Sequence, residues 1–447
     1  MNILILNGSP KGENSITYQH MEFLKKKYPM HTYKTIHVGS KIKSIEKDFT
    51  QSKEDLQWAK LIIFCYPVYT FIVPAQLHRF VELIKESDVD LSDTYATQLT
   101  TSKHFYDITA HRFIEENCAD MNMKYIRDLS ADMEDLLSKK GRREAVEFFE
   151  FIMWNVKNGF SDNAFMVRPT NIKLHSADAP GKSSYKTSNK IALVTDMDLS
   201  DDMYHNLDTM IKRFTLRYPG DVNVINLREF PFIGGCLGCF NCASDGKCIY
   251  KDGFDEFLRT NINDADAVVY AYRIKDHSMG YRFKLYDDRQ FCNGHRTVTM
   301  GKPVAYLVDG ELTCERNLLT IMEARAQVGG NFLAGVVTNE SNPNEDIDAL
   351  VKTLYYAMKK SYNPPKNFYG VGGLKIFRDL IYQMQGLMKE DHRFYTEHGF
   401  YDFPQKHKGR VLGMYLVGAM MNNKKLSKKA SMMDGMMMMY KKVIDKE

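Results

Sequence analysis

The fold is decided by the first fifteen residues, Met1-Asn-Ile-Leu-Ile-Leu-Asn7-Gly8-Ser9-Pro10-Lys11-Gly12-Glu13-Asn14-Ser15. The short apolar run predicts a buried strand, and the small polar residues after it predict a loop. Thr17, Met21 and Leu24 then follow at helical spacing. A strand, a loop of small residues and a helix N-terminus together form an anion site, because backbone N–H groups and the helix dipole point at the loop.

The same alternation of strands and helices occurs twice along the 447 residues. In the first half, strands are predicted at Asn2–Asn7, Tyr33–Val38, Leu61–Tyr66, Tyr95–Thr101 and Lys124–Leu129. In the second half, they are predicted at Ile191–Thr195, Val222–Asn226, Ala267–Tyr272, Val304–Val308 and Phe332–Val337. The third and fourth strands begin 34 and 37 residues apart in the two halves, and the fourth and fifth 29 and 28. We therefore expect an α/β fold with two tandem doubly wound parallel sheets of five strands.

Composition excludes several classes of protein. Lys and Arg number 60 against 56 Asp and Glu, so the chain lacks the strong positive charge of a nucleic-acid-binding protein. The densest apolar stretch, Val411–Met421, is shorter than the ~18 residues that span a membrane. No signal sequence is recognised at the start, and eight cysteines are few for a disulfide scaffold. We expect a cytoplasmic protein with no membrane span and no nucleic-acid partner.

Two further loops are expected beside the first one. Pro67-Val68-Tyr69-Thr70 follows the third strand, and Thr100-Thr101-Ser102 follows the fourth. In a doubly wound sheet these loops leave the carboxyl edge, where ligands bind. A phosphate loop, a rigid turn with an aromatic side chain and a hydroxyl-rich turn suit a flat ring system with a phosphorylated tail.

These motifs resemble the flavodoxin-like NAD(P)H-dependent FMN reductases. The resemblance lies in Gly8-Ser-Pro-Lys-x-x-Asn-Ser15 and in the run from Pro67 to Glu82. It implies FMN, with the phosphate bound by Ser9, Lys11, Asn14 and Ser15. It also implies that the isoalloxazine ring lies against Pro67, Val68, Tyr69, Thr70, Thr100, Thr101 and Ser102.

The second half lacks an equivalent phosphate loop. Its corresponding stretch, Thr195–Asp202, contains four aspartates. Carboxylates facing a phosphate of charge near −2 repel it by several kcal/mol in a partly desolvated site. We therefore expect one FMN per chain, in the first half.

Four of the eight cysteines form the motif Cys236-x2-Cys239-x2-Cys242-x5-Cys248. Structural zinc sites usually use two Cys or His pairs separated by a longer arm, whereas thiolates at x2, x2 spacing are typical of iron–sulfur ligands. The spacing resembles that of the iron–sulfur flavoproteins, a branch of the same family, and this resemblance implies one [4Fe–4S] cluster. Zinc and unligated thiols are the alternatives. Cys292 is predicted to be a loop thiol without an evident partner.

The chain is therefore divided into four regions. Residues 1–158 are predicted to form a flavodoxin-like FMN-binding domain, and residues 159–189 a linker. Residues 190–361 are predicted to form a second flavodoxin-like domain, which carries the four-cysteine motif. Residues 362–447 are predicted to be a helical extension with a methionine-rich end, a flexible packing segment.

The predicted function is a flavin-dependent oxidoreductase or electron-transfer protein with FMN in the first domain and a [4Fe–4S] cluster in the second. FMN exchanges two electrons with a hydride donor and the cluster passes one at a time, so no side chain is assigned a catalytic role. NAD(P)H or a ferredoxin is the expected donor, and the acceptor is a small molecule or a redox protein. The alternatives are an FMN-dependent NAD(P)H reductase of quinones, nitro compounds or similar molecules with a structural or empty cysteine site, and a non-enzymatic flavodoxin-like scaffold.

The two halves are expected to pack as a pseudo-dimer within one chain, with a true homodimer as the other arrangement. The resemblance to the iron–sulfur flavoproteins implies a cluster close to the flavin of a neighbouring subunit. The loops after the first, third and fourth strands should then face Cys236–Cys248.

Overall fold

The computed structural model of the chain describes residues 1–162, 172–181 and 186–421. Two parts of the predicted linker and the methionine-rich end of the predicted extension lie outside the described residues. None of the described helices is long and apolar enough to cross a membrane.

Parallel strands of the first half form one sheet. They are β1 (Asn2–Asn7), β2 (Thr32–Ile36), β3 (Leu61–Pro67), β4 (Tyr95–Ser102), β5 (Lys124–Tyr125) and β6 (Leu129–Asp132). Their order is β2-β1-β3-β4-β5, and β6 also pairs with β4. Because helices cover both faces, β1, β3 and β4 are almost entirely buried, and β1 and β3 are nearly continuous in apolar residues.

The predicted strand at Lys124–Leu129 is wrong as a single element. The structure has two short strands instead, and three residues between them, 126–128, face two residues of β4. One extra residue opposite a strand breaks the ladder, as in a β-bulge. Asp128, one of these three residues, pairs with His111 on α5.

Parallel strands of the second half form the second sheet. They are β7 (Lys190–Thr195), β8 (Asp221–Asn226), β9 (Ala267–Arg273), β10 (Pro303–Asp309) and β11 (Phe332–Thr338). Their order is β8-β7-β9-β10-β11, which is the 2-1-3-4-5 order of the first sheet. The predicted α/β fold, with two tandem flavodoxin-like doubly wound sheets and a helical C-terminal region, is confirmed.

Helices connect and cover these strands. In the first half they are α1 (Ile16–Lys27), α2 (Val38–Lys47), α3 (Thr50–Trp58), α4 (Ala75–Glu86), α5 (Asp107–Asp120) and α6 (Lys139–Asn158). In the second half they are α7 (His205–Arg217), α8 (Cys242–Asp245), α9 (Phe254–Leu258), α10 (Tyr281–Arg289), α11 (Arg316–Gly329) and α12 (Pro343–Lys360). The C-terminal region contributes α13 (Phe368–Gln383), α14 (Lys389–Glu397) and α15 (Lys408–Met421).

The chain forms two compact units, Met1–His392 and Arg393–Glu447. The first contains both sheets and also α13, which packs against α11, so the predicted extension begins inside this unit. The described part of the second unit contains the end of α14 and all of α15. Within that unit, the rings of Phe394 and His398 stack with centroids 4.0 Å apart.

The two sheets of the first compact unit are joined through two pairs of helices, α4 with α10 and α5 with α11. Asn317 Nδ2 donates to the Thr109 carbonyl oxygen at 3.0 Å. Asn117 Nδ2 donates to the Asp276 carbonyl oxygen at 3.3 Å. Corresponding helices of the two halves thus contact each other, as the two copies do in a dimer with twofold symmetry.

Candidate functional site

The loop after β1 passes through a short 3-10 turn, Gly12–Asn14, and then enters α1. Ser15 caps α1, because its Oγ accepts a hydrogen bond from Tyr18 N at 3.4 Å. Ser9 Oγ accepts from Lys11 N at 3.3 Å. Each hydroxyl still has a proton to donate, and the first turn of the helix has backbone N–H groups without an intrahelical acceptor. The loop therefore presents the donors that a phosphate group requires.

The loop after β3 is a tight turn. Tyr69 N donates to the Ile72 carbonyl oxygen at 2.9 Å, and Ile72 N donates to the Tyr69 carbonyl oxygen at 3.1 Å. Between them, Thr70 has φ 37° and Phe71 has φ 74°. This left-handed region is sterically unfavourable for β-branched and bulky residues, and such a backbone persists where its surroundings hold it. Burial raises the pKa of Tyr69 well above its usual range, so the hydroxyl remains a donor.

The end of β4 contributes hydroxyl groups on two sides of the sheet. Thr101 Oγ1 lies 2.6 Å from Thr17 Oγ1 and links β4 to the first turn of α1. Thr100 Oγ1 lies 2.7 Å from His111 Nε2 on α5. Alternate residues of a strand face opposite sides, so these two threonines have different surroundings.

The four clustered cysteines lie in the loop after β8, which includes the short helix α8. Gly238 has φ 59°, and its backbone N–H donates to Cys236 Sγ at 3.5 Å. Burial raises the pKa of Cys236 above its usual range and raises that of Cys242 to about 11. Thiols of this kind become thiolates where a bound cation supplies positive charge.

The cysteine loop contacts the loops of the first half directly. A Cβ on Gly238 would lie 2.0 Å from the Tyr69 hydroxyl oxygen and 3.7 Å from Lys11 Cε. Gln76 Nε2 donates to the Cys236 carbonyl oxygen at 3.3 Å. A residue larger than glycine at position 238 would therefore push the two loops apart.

These loops surround a cavity of about 420 Å³, within the ~300–1,000 Å³ that is typical of ligand sites. Most of the residues predicted to bind FMN line it, namely Ser9, Lys11, Ser15, Pro67, Val68, Tyr69, Thr70, Thr101 and Ser102. The four predicted metal ligands line the same cavity, namely Cys236, Cys239, Cys242 and Cys248. Asn14 and Thr100 are described residues that lie outside this lining. The fold thus brings both predicted sites to one cavity, although more than 130 residues separate Ser102 from Cys236 in sequence.

Cys292, predicted as a loop thiol without an evident partner, also lines this cavity. It is buried in a 3-10 turn, Gln290–Asn293. Burial, with Cys242 and Cys248 nearby, raises the pKa of Cys292 to about 12. No spacing rule connects a cysteine so far along the chain with the motif, because only the packing of the turn against the loop brings them together.

Helix α13 forms one wall of the cavity, a position that the sequence patterns did not predict. Ile376, Phe377 and Leu380 line the cavity. Phe377 stacks on Phe105 with ring centroids 4.2 Å apart and meets the ring of His295 edge-on at 4.7 Å. The apolar spacing of these residues predicts a helix, but the surface that the helix covers depends on the tertiary fold.

The acidic loop of the second half, Thr195–Asp202, contacts the cationic side chain of Arg228. Arg228 Nε donates to the Asp196 carbonyl oxygen at 2.7 Å, and Arg228 pairs with Asp198 at 3.0 Å. Burial raises the pKa of Asp196 to about 6. An arginine side chain therefore pairs with the acidic loop of the second half. The loop at the equivalent position of the first half instead presents donors for an anion.

Among the described residues, Glu116, His277 and Glu315 form a group whose potential metal-ligating atoms all lie within 4.8 Å of one another. His277 pairs at 3.0 Å with Asp120 through Nε2 and with Glu315 through Nδ1. Burial lowers the pKa of His277, but these hydrogen bonds outweigh it and raise the pKa to about 10. Both ring nitrogens thus carry protons at neutral pH, and His277 forms ion pairs with Asp120 of the first half and Glu315 of the second.

Comparisons with known proteins found similarity to the first half of the chain. Residues 1–139 match the family described as having a flavodoxin-like fold. An iron–sulfur flavoprotein of Clostridioides difficile (strain 630) is 22% identical over 139 residues, which cover 29% of this chain and 61% of that protein. The chain therefore spans less than two thirds of the length of this curated relative.

Solved structures also align with about a third of the chain. Smu.1420 from Streptococcus mutans is 15% identical, with a TM-score of 0.29 over 35% of this chain and 100% of that chain. An FMN-dependent NADH-azoreductase from Bacillus anthracis in complex with FMN is 11% identical, with a TM-score of 0.28 over 34% and 99%. Residues 1–139 have the flavodoxin-like fold, and the resemblance drawn from their motifs is confirmed for this part of the chain.

Proposed function

We propose that this chain is a flavin-dependent oxidoreductase that binds one FMN in the first half and one [4Fe–4S] cluster at the four cysteines of the second half. The observation that carries the proposal is the shared cavity, which is lined both by the phosphate loop, turn and strand end of the first sheet and by all four thiols. Electron transfer between two centres requires such closeness, whereas a metal site with a purely structural role does not.

The donors and the shape of the cavity fit FMN. Ser9, Ser15 and the first turn of α1 supply hydrogen-bond donors for a phosphate, and the helix dipole adds to them. Tyr69 and Thr101 line the part of the cavity that would receive the flat ring. The acidic loop of the second half, already paired with Arg228, supports a single flavin per chain.

The spacing of the cysteines along the chain favours a cluster over a single zinc ion. Structural zinc sites usually use two Cys or His pairs separated by a longer arm, whereas thiolates at x2, x2 spacing are typical of iron–sulfur ligands. Gly238, with φ 59°, lets the backbone of the cysteine loop approach a bound group closely.

Bound FMN and a cluster supply two-electron and one-electron chemistry respectively. The side chains of this chain have other tasks. Tyr69, Phe105 and Phe377 exclude water from the cavity, and Gly238 keeps the cysteine loop in contact with the turn after β3. NAD(P)H or a reduced ferredoxin is the proposed donor, and a small molecule or a redox protein is the proposed acceptor.

Two other functions remain as alternatives. An FMN-dependent NAD(P)H reductase of quinones or nitro compounds needs the flavin but no iron. A flavodoxin-like scaffold needs neither. The three functions therefore differ in the cofactors that the purified protein contains.

The experiment that separates them is anaerobic purification of the full chain followed by analysis of flavin, iron, acid-labile sulfide and zinc. The proposal predicts one FMN, four iron and four sulfide per chain, with flavin absorbance that changes on addition of NAD(P)H or reduced ferredoxin. FMN without iron would support the simple reductase. Zinc in place of iron, or two flavins per chain, would contradict the proposal.

A further inference from the structure

The turn that lines the proposed flavin site is held from the other half of the chain. Thr70 Oγ1 donates to Asp288 Oδ1 at 2.5 Å. Lys284 Nζ donates to the Tyr69 carbonyl oxygen at 2.8 Å and to Thr70 Oγ1 at 2.6 Å. Lys284 and Asp288 lie one turn apart on α10 and pair with each other. Both side chains are 0% exposed, so water does not compete with these contacts.

The turn needs such support because of its backbone. Thr70 and Phe71 have φ values of 37° and 74°, in a region that β-branched and bulky residues rarely adopt. Thr70, a residue of this strained segment, accepts a hydrogen bond from Lys284 and donates one to Asp288. They supply the external restraint that an unfavourable backbone conformation requires.

The next residue of the same helix holds the cysteine loop. Arg289 donates to Asp252 Oδ1 at 2.7 Å and to the Gly234 carbonyl oxygen at 2.9 Å. Gly234 precedes the first clustered cysteine and Asp252 follows the last one. Neighbouring side chains of α10 therefore hold the flavin-facing turn and the two ends of the cysteine loop.

We propose that Lys284 and Asp288, although they belong to the second half, are positioning residues of the FMN site in the first half. They act by holding the turn Pro67–Thr70 in the conformation that receives the flavin ring. Both are described residues outside the cavity lining, so their effect on FMN passes through the turn. This inference rests on the proposed FMN site and adds a specific dependence of that site on the second half.

Glu82 provides a matched control. It is 4% exposed, lies at the eighth position of α4 as Asp288 does of α10, and accepts a hydrogen bond from Tyr281 N at 2.8 Å. Glu82 also pairs at 2.9 Å with Lys275, a residue of the second half. Within the described residues it forms no hydrogen bond or ion pair with the flavin-facing turn Pro67–Thr70. Loss of its charge disturbs the same helix packing without touching that turn.

The test is a titration of FMN with the flavin-free full chain. Binding is measured by the quenching of FMN fluorescence, and the surroundings of the bound flavin by its visible absorption spectrum. Asp288→Asn should weaken FMN binding at least tenfold and shift the flavin absorption bands, because Lys284 loses the nearer of its two buried counter-charges, Asp287 being 3.8 Å away. Glu82→Gln should bind FMN within twofold of the wild type. Equal FMN affinities in the two variants would overturn the inference.

A double variant, Lys284→Met with Asp288→Leu, keeps the experiment decisive if Asp288→Asn does not fold. It removes both buried charges together and so leaves neither unpaired. It should fold, and it should also bind FMN at least tenfold more weakly than the wild type. If it binds FMN as the wild type does, the inference is wrong and the proposed function stands. A wild-type chain that binds no FMN would overturn the proposed function and this inference with it.

Discussion

Glu82 and Asp288 occupy equivalent positions in two helices, and each accepts a hydrogen bond from the first residue of the other helix. Glu82 Oε1 accepts from Tyr281 N at 2.8 Å, and Asp288 Oδ2 accepts from Ala75 N at 2.8 Å. A carboxylate at a helix N-terminus is stabilised by free N–H groups and by the helix dipole. Reciprocal contacts of this kind arise at a twofold axis between identical subunits. Here the two halves of one chain supply both sides.

We expect the hydroxyl groups of the phosphate loop to contribute directly to FMN affinity. Ser9→Ala and Ser15→Ala each remove a donor to a charged acceptor, worth about 1.5–3 kcal/mol, which corresponds to at least tenfold in Kd. Titration of the flavin-free protein with FMN measures the effect. Ser44→Ala, on the exposed face of α2, should leave the Kd unchanged. Unaltered affinity in both loop variants would show that the phosphate binds elsewhere.

Gly238→Ala should separate the two proposed centres without removing either. The new Cβ would lie 2.0 Å from the Tyr69 hydroxyl oxygen, so the cysteine loop must move away from the turn. We expect FMN and iron to be retained and electron exchange between them, followed by stopped-flow absorbance, to slow at least tenfold. Gly253→Ala is the control, because Gly253 has a similar φ of 75° and open space at its Cβ. Equal rates in the two variants would contradict the importance of this contact.

Cysteine variants should distinguish the four proposed ligands from the fifth thiol of the cavity. Cys236→Ala removes a proposed ligand, so the purified protein should contain less than half of the wild-type iron and sulfide. Cys292→Ala should retain both, although Cys292 lines the same cavity. Cys314→Ala, a described residue outside the cavity lining, controls for loss of a thiol in general. Loss of iron in Cys292→Ala would mean that the ligand set is different.

The group formed by Glu116, His277 and Glu315 should make the free energy of unfolding depend on pH through Glu116. Burial raises the pKa of Glu116 from its ordinary 4.5 to about 7 in the folded chain. The folded state therefore binds more protons between these pH values, and its free energy of unfolding falls as pH rises through that window. Glu116→Gln removes this loss and should stabilise the protein by about 3 kcal/mol at pH 8 and by less than ~1 kcal/mol at pH 5.

Thermal unfolding at the two pH values measures this difference. Glu54→Gln, an exposed change on α3, should have the same small effect at both. An effect of Glu116→Gln that is equal at pH 5 and pH 8 would show that the carboxyl group titrates normally.

Local sequence was sufficient for most of the fold. Alternation of short apolar runs with helical segments predicted ten strands within a few residues of their observed bounds, except where β5 and β6 replace a single strand. Strand periodicity, glycine-rich loops and helix starts depend on neighbouring residues, so they can be recognised along the chain. The phosphate loop and the cysteine motif were recognisable for the same reason, because their residues are close in sequence.

The tertiary structure alone decided which of these parts meet. Thr70 and Asp288 are separated by 218 residues, and Gly238 and Tyr69 by 169, yet both pairs are in contact. Cys292, Phe377 and Lys284 carry no local signal that assigns them to the cavity or to its turn. Their places follow from the packing of α4 against α10 and of α13 against α11, and such packing depends on surfaces built from residues that are distant in sequence.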